Sequence, residues 1–304
     1  MPKSKPPRKK RKPATAAGDS RRQTQPALPP MPDRRAMEGF MASLAGRRDE
    51  GAFGAAQELM YDAWDAPTKR ARVALARKAL RLSPLCADAY VLLAEETARS
   101  VAEALDFYRQ GVEAGEMALG KAGFESYHGR FWGHLETRPY MRARSGLAQA
   151  LWALNQRDDA VAHYRDMLKL NPNDNQGIRY LLAACLVAME RDGELAALLK
   201  KYDDGTAAWA FTRALAAFRR NGDTETSRRL LANALASNAH VPSFLTGDSK
   251  LPRAAPEYIA IGGEDEAIAY AQDFGAGWSN TAGALVWLAD IMVEAAVSER
   301  RRRR

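Results

Sequence analysis

The stretch that decides the fold runs from Met141 to Asp174 and reads MRARSGLAQALWALNQRDDAVAHYRDMLKLNPND. Its apolar residues recur at i, i+3, i+4 and i+7 on either side of one polar turn, Asn155-Gln156-Arg157-Asp158. That spacing predicts two amphipathic helices folded back on each other. Small residues fall where the helices would touch, at Ala148 and Ala160. Large ones fall where a gap needs filling, at Leu147, Leu151, Tyr164 and Met167. Pro172 ends the second helix, because proline has no backbone N–H to continue the ladder.

The pattern repeats outward. The unit from Asn175 carries Ile178, Leu181, Leu182, Cys185 and Leu198, with its turn at Glu190-Arg191-Asp192-Gly193. The unit from Ala208 carries Phe211, Ala214, Leu215, Phe218, Leu231 and Ala234, with its turn at Asn221-Gly222-Asp223. Upstream, Pro84 closes a unit that has Ala79 at the matching small position. Tyr90, Leu93 and Ala94 open another, whose second helix runs through Ala104, Tyr108 and Gly111. This order of small and large positions resembles the tetratricopeptide repeat, whose period is 34 residues. Units are expected near 51–84, 85–118, 141–174, 175–207 and 208–241, with an insertion near 112–138. Such a hairpin cannot bury its own apolar face, so the units must stack and the stack must be capped. The expected fold is therefore all-α: a superhelix of tetratricopeptide-like hairpins over 36–298 with a helical cap at 264–297. Within the cap, Glu264–Asp273 and Trp278–Val297 read as two helices. Pro242 disfavours helix at Val241, so the block around His240-Val241-Pro242 reads as an extended connection. Phe244 and Leu245 would staple the cap to the repeats.

The chain has 304 residues, 46% hydrophobic and 27% charged, and a net charge of +8. These figures exclude a collagenous, disulfide-dense or wholly disordered chain. The charge is unevenly placed. Residues 1–35 hold eleven Lys and Arg against Asp19 and Asp33, giving +9. Residues 299–304 add +4, so 36–298 carries −5. The first tail holds eight of the 15 prolines and almost no large apolar residue. It cannot offset its ordering entropy, so it reads as disordered. Its basic cluster, Pro7-Arg8-Lys9-Lys10-Arg11-Lys12-Pro13, would suit nucleic acid or an anionic surface, act as a nuclear address, or serve as a solubilising tail with no dedicated partner. No aromatic residue interleaves there to stack on bases. The apolar stretch from Thr281 to Val297 is broken by Asp290 and Glu294, so no membrane span is expected. Cys86 and Cys185 are too few for a disulfide framework, which makes a reducing, cytoplasmic compartment the default, or the nucleus if the source is eukaryotic.

Beyond the repeat, several blocks resemble the suppression-of-tumorigenicity protein seven family. They are Lys201-Tyr202-Asp203-Asp204, Asn238-Ala239-His240-Val241-Pro242-Ser243-Phe244-Leu245 and Glu264-Asp265-Glu266-Ala267-Ile268-Ala269-Tyr270-Ala271. Leu251-Pro252, Trp278, Gly283-Ala284-Leu285 and Arg142-Ala143-Arg144 agree as well. The likeness covers roughly 70–298 and is most specific from 201 to 285. It implies a tetratricopeptide-like helical protein with no established enzymatic chemistry. Animal members are expected to carry membrane spans ahead of this region. A polar basic tail stands there in this chain, so a membrane role is not carried over.

Tetratricopeptide superhelices use the concave face, lined by the first helix of each hairpin. By position, that face would present Arg142, Gln149 and Trp152, then Gln176, Arg179 and Tyr180, then Trp209, Thr212, Arg213 and Arg219. Arginines on three successive units, with aromatics beside them, would either clamp a carboxylate or an acidic peptide, or form a solvated polar face held by ion pairs within the chain. The insertion gathers His128, Phe131 and Trp132, which either seal a gap between units or bind something. His128, His134 and Glu136 lack a helix to fix them, so no metal site is expected. Asn173-Asp174-Asn175-Gln176-Gly177 lacks the later bidentate Glu of a calcium loop and reads as a helix cap. No P-loop, no G-x-G-x-x-G and no Ser-His-Asp signature is present, and no cofactor is expected. The reading is a non-enzymatic scaffold that captures an unidentified protein or peptide, with an acidic one favoured. The alternative is a nucleic-acid-associated or nuclear-targeted adaptor attached through the basic tails.

Overall fold

The computed structural model describes Glu38, residues 51–256 and residues 258–302, without the side chains of 296 and 298–302. Among these residues there is no strand, and thirteen α-helices follow one another. They pair into five hairpins: α1 (Ala52–Asp65) with α2 (Lys69–Leu82), α3 (Ala87–Thr97) with α4 (Val101–Tyr127), α5 (Arg138–Ala153) with α6 (Arg157–Leu170), α7 (Ile178–Ala188) with α8 (Asp192–Lys201), and α9 (Ala207–Asn221) with α10 (Glu225–Ser237). Then come a short α11 (Val241–Thr246), α12 (Glu264–Asn280) and α13 (Ala284–Arg302). The fold is an all-α superhelix of tetratricopeptide-like hairpins closed by C-terminal helices. The basic residues 1–35 lie outside the described residues.

Local chemistry sets the helix ends. The turns inside the third and fourth hairpins hinge on Asn155 (φ 64°) and Glu190 (φ 55°), and that of the fifth on Gly222 (φ 67°). A left-handed residue ends a helix by turning the chain back on its last carbonyls. Hydroxyl side chains cap the N-termini of α2, α4, α9 and α10 at Thr68, Ser100, Thr206 and Thr224. Thr224 and Ser227 form a reciprocal capping box, which satisfies two donors left free by the helix start. Asp174 (φ 46°) caps α7 by accepting from Ile178 N at 2.7 Å and Arg179 N at 2.9 Å.

Close approach is tightest between α4 and α5. A Cβ built on Gly111 would lie 3.0 Å from the Ala143 Cβ, and one on Gly115 2.9 Å from the Tyr140 Cβ. One on Gly146 would lie 2.2 Å from the Tyr108 ring. Large side chains fill what remains: Tyr164 and Met167 are fully buried in α6, as are Trp209 and Phe211 in α9.

Three expectations change. The insertion is mostly helix, because α4 continues to Tyr127 through a kink at Gly120 (φ 55°), and two 3₁₀ turns then carry Phe131–Gly133 and Leu135–Thr137. The block after α10 is not extended. Val241–Thr246 is a helical turn and a half, with Pro242 in its first turn, where a missing N–H costs nothing. The cap helices break at 281–283, with Gly283 at φ 78°. Gly275 and Gly277 both stay within α12, and at Gly277 the close neighbour Val187 leaves no room for a Cβ.

Gly146→Ala separates close packing from helix propensity. In open space the change would stabilise by about 1 kcal/mol. Against the Tyr108 ring it is expected to destabilise by about 1–3 kcal/mol, read from chemical denaturation midpoints.

Candidate functional site

The first helices of the hairpins bring two guanidinium groups to one carboxylate. On α5, Arg138 and Arg142 lie one turn apart and share a face. Arg142 gives Nε and Nη2 to the two oxygens of Asp88 on α3, at 2.7 and 2.6 Å. Its Nη1 donates to both oxygens of Glu38, at 2.9 and 2.8 Å. Arg138 Nη1 donates to the same Glu38 Oε1 at 3.0 Å. Each guanidinium is held from behind. Arg142 sits 5.1 Å from the Trp64 ring centre, and Arg138 sits 5.4 Å from that of Trp132. Arg138 Nε also donates to the Trp132 carbonyl at 3.0 Å. Gln57 Nε2 donates to Asp88 Oδ2 at 2.8 Å and fixes that carboxylate. Arg142 is only 8% exposed, and the carboxylates hold its guanidinium protonated, above the ordinary arginine range, against the cost of burial.

The next arginine of the expected face is also engaged. Arg179 lies among the rings of Tyr180, Tyr202 and Trp209, at 4.4, 5.8 and 5.8 Å from their centres. It pairs with Asp174 at 3.0 Å and Asp204 at 3.1 Å. Tyr180 donates to Asp204 at 2.9 Å and packs edge-on against Trp209. Burial alone would raise the Asp204 carboxyl, but hydrogen bonds from Thr206, Tyr180 and Arg179 outweigh it and hold it below the ordinary range. Arg213 donates to the Leu199 carbonyl at 2.9 Å and to Asp203 at 2.8 Å. Trp209 is fully buried, its indole N–H on the Tyr202 carbonyl. Gln176 and Trp152 are buried, Gln149 is half-buried, and the Arg157 guanidinium lies 5.2 Å from the Trp152 ring centre.

In the last two hairpins the groove has an occupant. α12 packs on α7 and on α9, the first helices of both hairpins. Gly277 sits so close that a Cβ there would lie 2.3 Å from Val187 on α7. Tyr270 packs on Phe211, and Trp278 on both Phe211 and Trp287. Thr212, of the expected concave set, is fully buried. Polar contacts hold the two ends. Glu266 accepts from Ala207 N at 2.8 Å, at the start of α9, from Asn238 at 3.0 Å and from Gly262 N at 2.8 Å. Arg219 donates to Val187 O at 3.0 Å, Gly277 O at 3.1 Å and Thr281 Oγ1 at 2.8 Å.

With this geometry in place, comparison with known proteins identifies the family. The sequence pattern of the family described as ST7 protein matches residues 47–298. The chain belongs to the ST7 protein family. Suppressor of tumorigenicity 7 protein-like from Gallus gallus is 30% identical over 262 residues, covering 78% of this chain and 47% of the relative. Suppressor of tumorigenicity 7 protein from Rattus norvegicus is 29% identical over 275 residues, covering 76% and 48%. The chain thus spans about half the length of these relatives. Among solved structures, YrrB, a TPR protein with an unusual peptide-binding site, aligns at TM-score 0.43 and 18% identity, covering 65% of this chain and 91% of that one.

The remaining residues singled out in this ST7-family chain are packed or exposed singly. Phe131 is fully buried against Phe124 and Tyr140. Trp132 is half-buried, and its backbone N–H donates to Asn171 Oδ1 at 3.3 Å. His128 is exposed. His163 accepts from Arg144 at 3.2 Å, and burial and that arginine hold it below the ordinary histidine range. Cys86 and Cys185 are buried free thiols, and burial pushes Cys86 up to about 12. Such a thiol holds almost no thiolate near neutrality. Among the described residues no helix is long and apolar enough to cross a membrane. The sequence reading missed Arg138, Asp88, Trp64 and Glu38. Only the Arg138–Arg142 spacing, i and i+4, was visible beforehand.

Asp273 on α12 tests how this helix is seated. Burial pushes its carboxyl up to about 7. Between the ordinary carboxylate range and that value, the folded chain holds a proton that the unfolded chain has lost. Stability therefore falls as pH rises through that window and is flat above it. Asp273→Asn is expected to melt higher than the wild type at about pH 8, with the gap closing toward about pH 4. Thermal denaturation at both pH values checks it, and a gap of equal size at both overturns it.

Proposed function

We propose that this chain is a non-enzymatic protein-interaction scaffold that receives an acidic segment of a protein partner on its concave face, at Arg138 and Arg142. The observation that supports the reading is the Glu38 carboxylate, which both guanidinium groups bind at 2.8–3.0 Å. It stands in for a partner's side chain. Two guanidiniums held by Asp88, Trp64 and Trp132 are organised before binding, and preorganisation lowers the entropic cost of capture. Donors from two guanidiniums reach both oxygens of the one carboxylate, and such charge-assisted bonds are the strong ones,. The groove of the fourth and fifth hairpins carries α12, so the clamp on the earlier hairpins is the part of the concave face left to a partner.

A partner must compete with Glu38, which acts at the high effective concentration of a tethered group. Glu38→Gln removes the competing charge. It is expected to tighten binding of a fluorescein-labelled hexaglutamate peptide by about tenfold. Adding Arg138→Ala to that variant is expected to reverse the gain. The basic tail is the same in every chain, so its contribution cancels. Fluorescence anisotropy with melting temperature as the folding control checks it, and an affinity unchanged by Glu38→Gln in a folded chain overturns it.

A further inference from the structure

A second charged surface lies on α2, away from these residues. This helix holds Lys69, Arg70, Arg72, Arg77, Lys78 and Arg81 and no acid. Arg72 is spent on Glu96, at 2.6 Å. The others are exposed and make no ion pair among the described residues. Together with the α3–α4 turn, α2 bounds an open cleft of about 830 Å³. Val73, Ala74 and Ala98 give it apolar surface, Lys69, Arg70, Arg77 and Arg99 stand around it, and Thr97 and the Glu96 that Arg72 neutralises complete the lining.

We propose that this cleft docks an acidic amphipathic segment of a protein partner, with apolar side chains on Val73, Ala74 and Ala98 and carboxylates on Arg70, Arg77 and Arg99. An apolar centre inside a polar rim is the usual anatomy of a protein interface. Nucleic acid fits less well, because no aromatic lines the cleft to stack on bases,. The chain's own N-terminal residues 1–35 carry +9, so like charge opposes their entry. Two of the cations also stand where folding disfavours them. Lys69 and Arg70 open α2, whose first turn holds no acid, and the helix dipole opposes positive charge there. A stability-driven sequence would place Glu or Asp at those positions.

The test uses full-length chain and three fluorescein-labelled probes. One is a peptide with Leu at helical spacing among Glu residues. The second replaces each Leu with Ser, and the third is single-stranded oligothymidylate. The double variant Arg70→Glu/Arg77→Glu is expected to weaken the Glu/Leu peptide by about tenfold while melting no lower than the wild type. A charge-matched control, Lys200→Glu/Arg220→Glu, is expected to change it by less than about twofold. The Glu/Ser peptide is expected to bind about fivefold more weakly than Glu/Leu, since burying a leucine is worth at least that much. Equal loss in the control, equal affinity for the two peptides, or a greater loss for oligothymidylate than for Glu/Leu overturns the proposal. So does concentration-dependent self-association that the double variant abolishes, which would make a second copy the occupant. Because the clamp would also take glutamate, every chain in the series carries Arg138→Ala, so the cleft fails or succeeds independently of it.

Discussion

A helical hairpin with one apolar face has nothing to bury it against except the next hairpin. Every other feature of this chain follows from that dependence. Stacking requires helices to approach closely, which is why Gly111, Gly115 and Gly146 sit where α4 meets Ala143, Tyr140 and α5 meets Tyr108. It also leaves an unfinished face wherever the repeats stop. At the C-terminal end the solution is unusual for a cap, since α12 reaches past the last hairpin to lie on α7 as well as α9. Gly277 permits that approach, and the fully buried Trp278 anchors it. Truncating a buried tryptophan typically costs about 3–5 kcal/mol, so α12 is a fixed occupant of the face formed by α7 and α9.

The hairpins were legible in the sequence because their signal is local. Leu147, Ala148, Leu151, Ala160 and Tyr164 announce one hairpin within a single period, and Pro172 announces its end. What was hidden depends on contacts distant in sequence. Arg142 meets Asp88 across 54 residues and Glu38 across 104, and no spacing rule reports such pairs. The same holds for α12. Its residues read as two helices parted between Asp273 and Trp278, whereas the structure runs one helix through Gly277, which lies against Val187, 90 residues earlier in the chain. Pro242 misled in the opposite sense: its effect on the preceding residue was weighed, and its fitness for a helix's first turn was not.

Charge explains why the arginines of the first helices pair within the chain. The residues between the tails carry −5, and part of that acid neutralises the arginines of the first helices. Asp88 and Glu38 take Arg142, Asp174 and Asp204 take Arg179, Asp203 takes Arg213, and Asp192 lies 3.3 Å from Arg219. A position-based reading counts cations on a face but cannot count the anions brought to meet them. α2 differs in its partners: among the described residues only Arg72 of its six cations meets a carboxylate, that of Glu96. The same acidic balance that closes the groove thus leaves this one helix strongly positive.

The two carboxylates on Arg142 are not equivalent. Both Asp88 oxygens are taken by Arg142, and one also receives Gln57. Asp88 lies on α3 within the repeat core and is fully buried. Withdrawing Arg142 from it would orphan a buried charge, at a cost of about 3–5 kcal/mol. Glu38, itself 2% exposed, binds through Nη1 of Arg142 and Nη1 of Arg138. If another carboxylate replaced it, every guanidinium contact would be kept and Asp88 would stay paired. Exchange at Glu38 therefore conserves the ion balance that exchange at Asp88 would destroy. In the proposed function, that asymmetry makes Asp88 the part that holds the clamp in shape and Glu38 the part that a partner's carboxylate would replace.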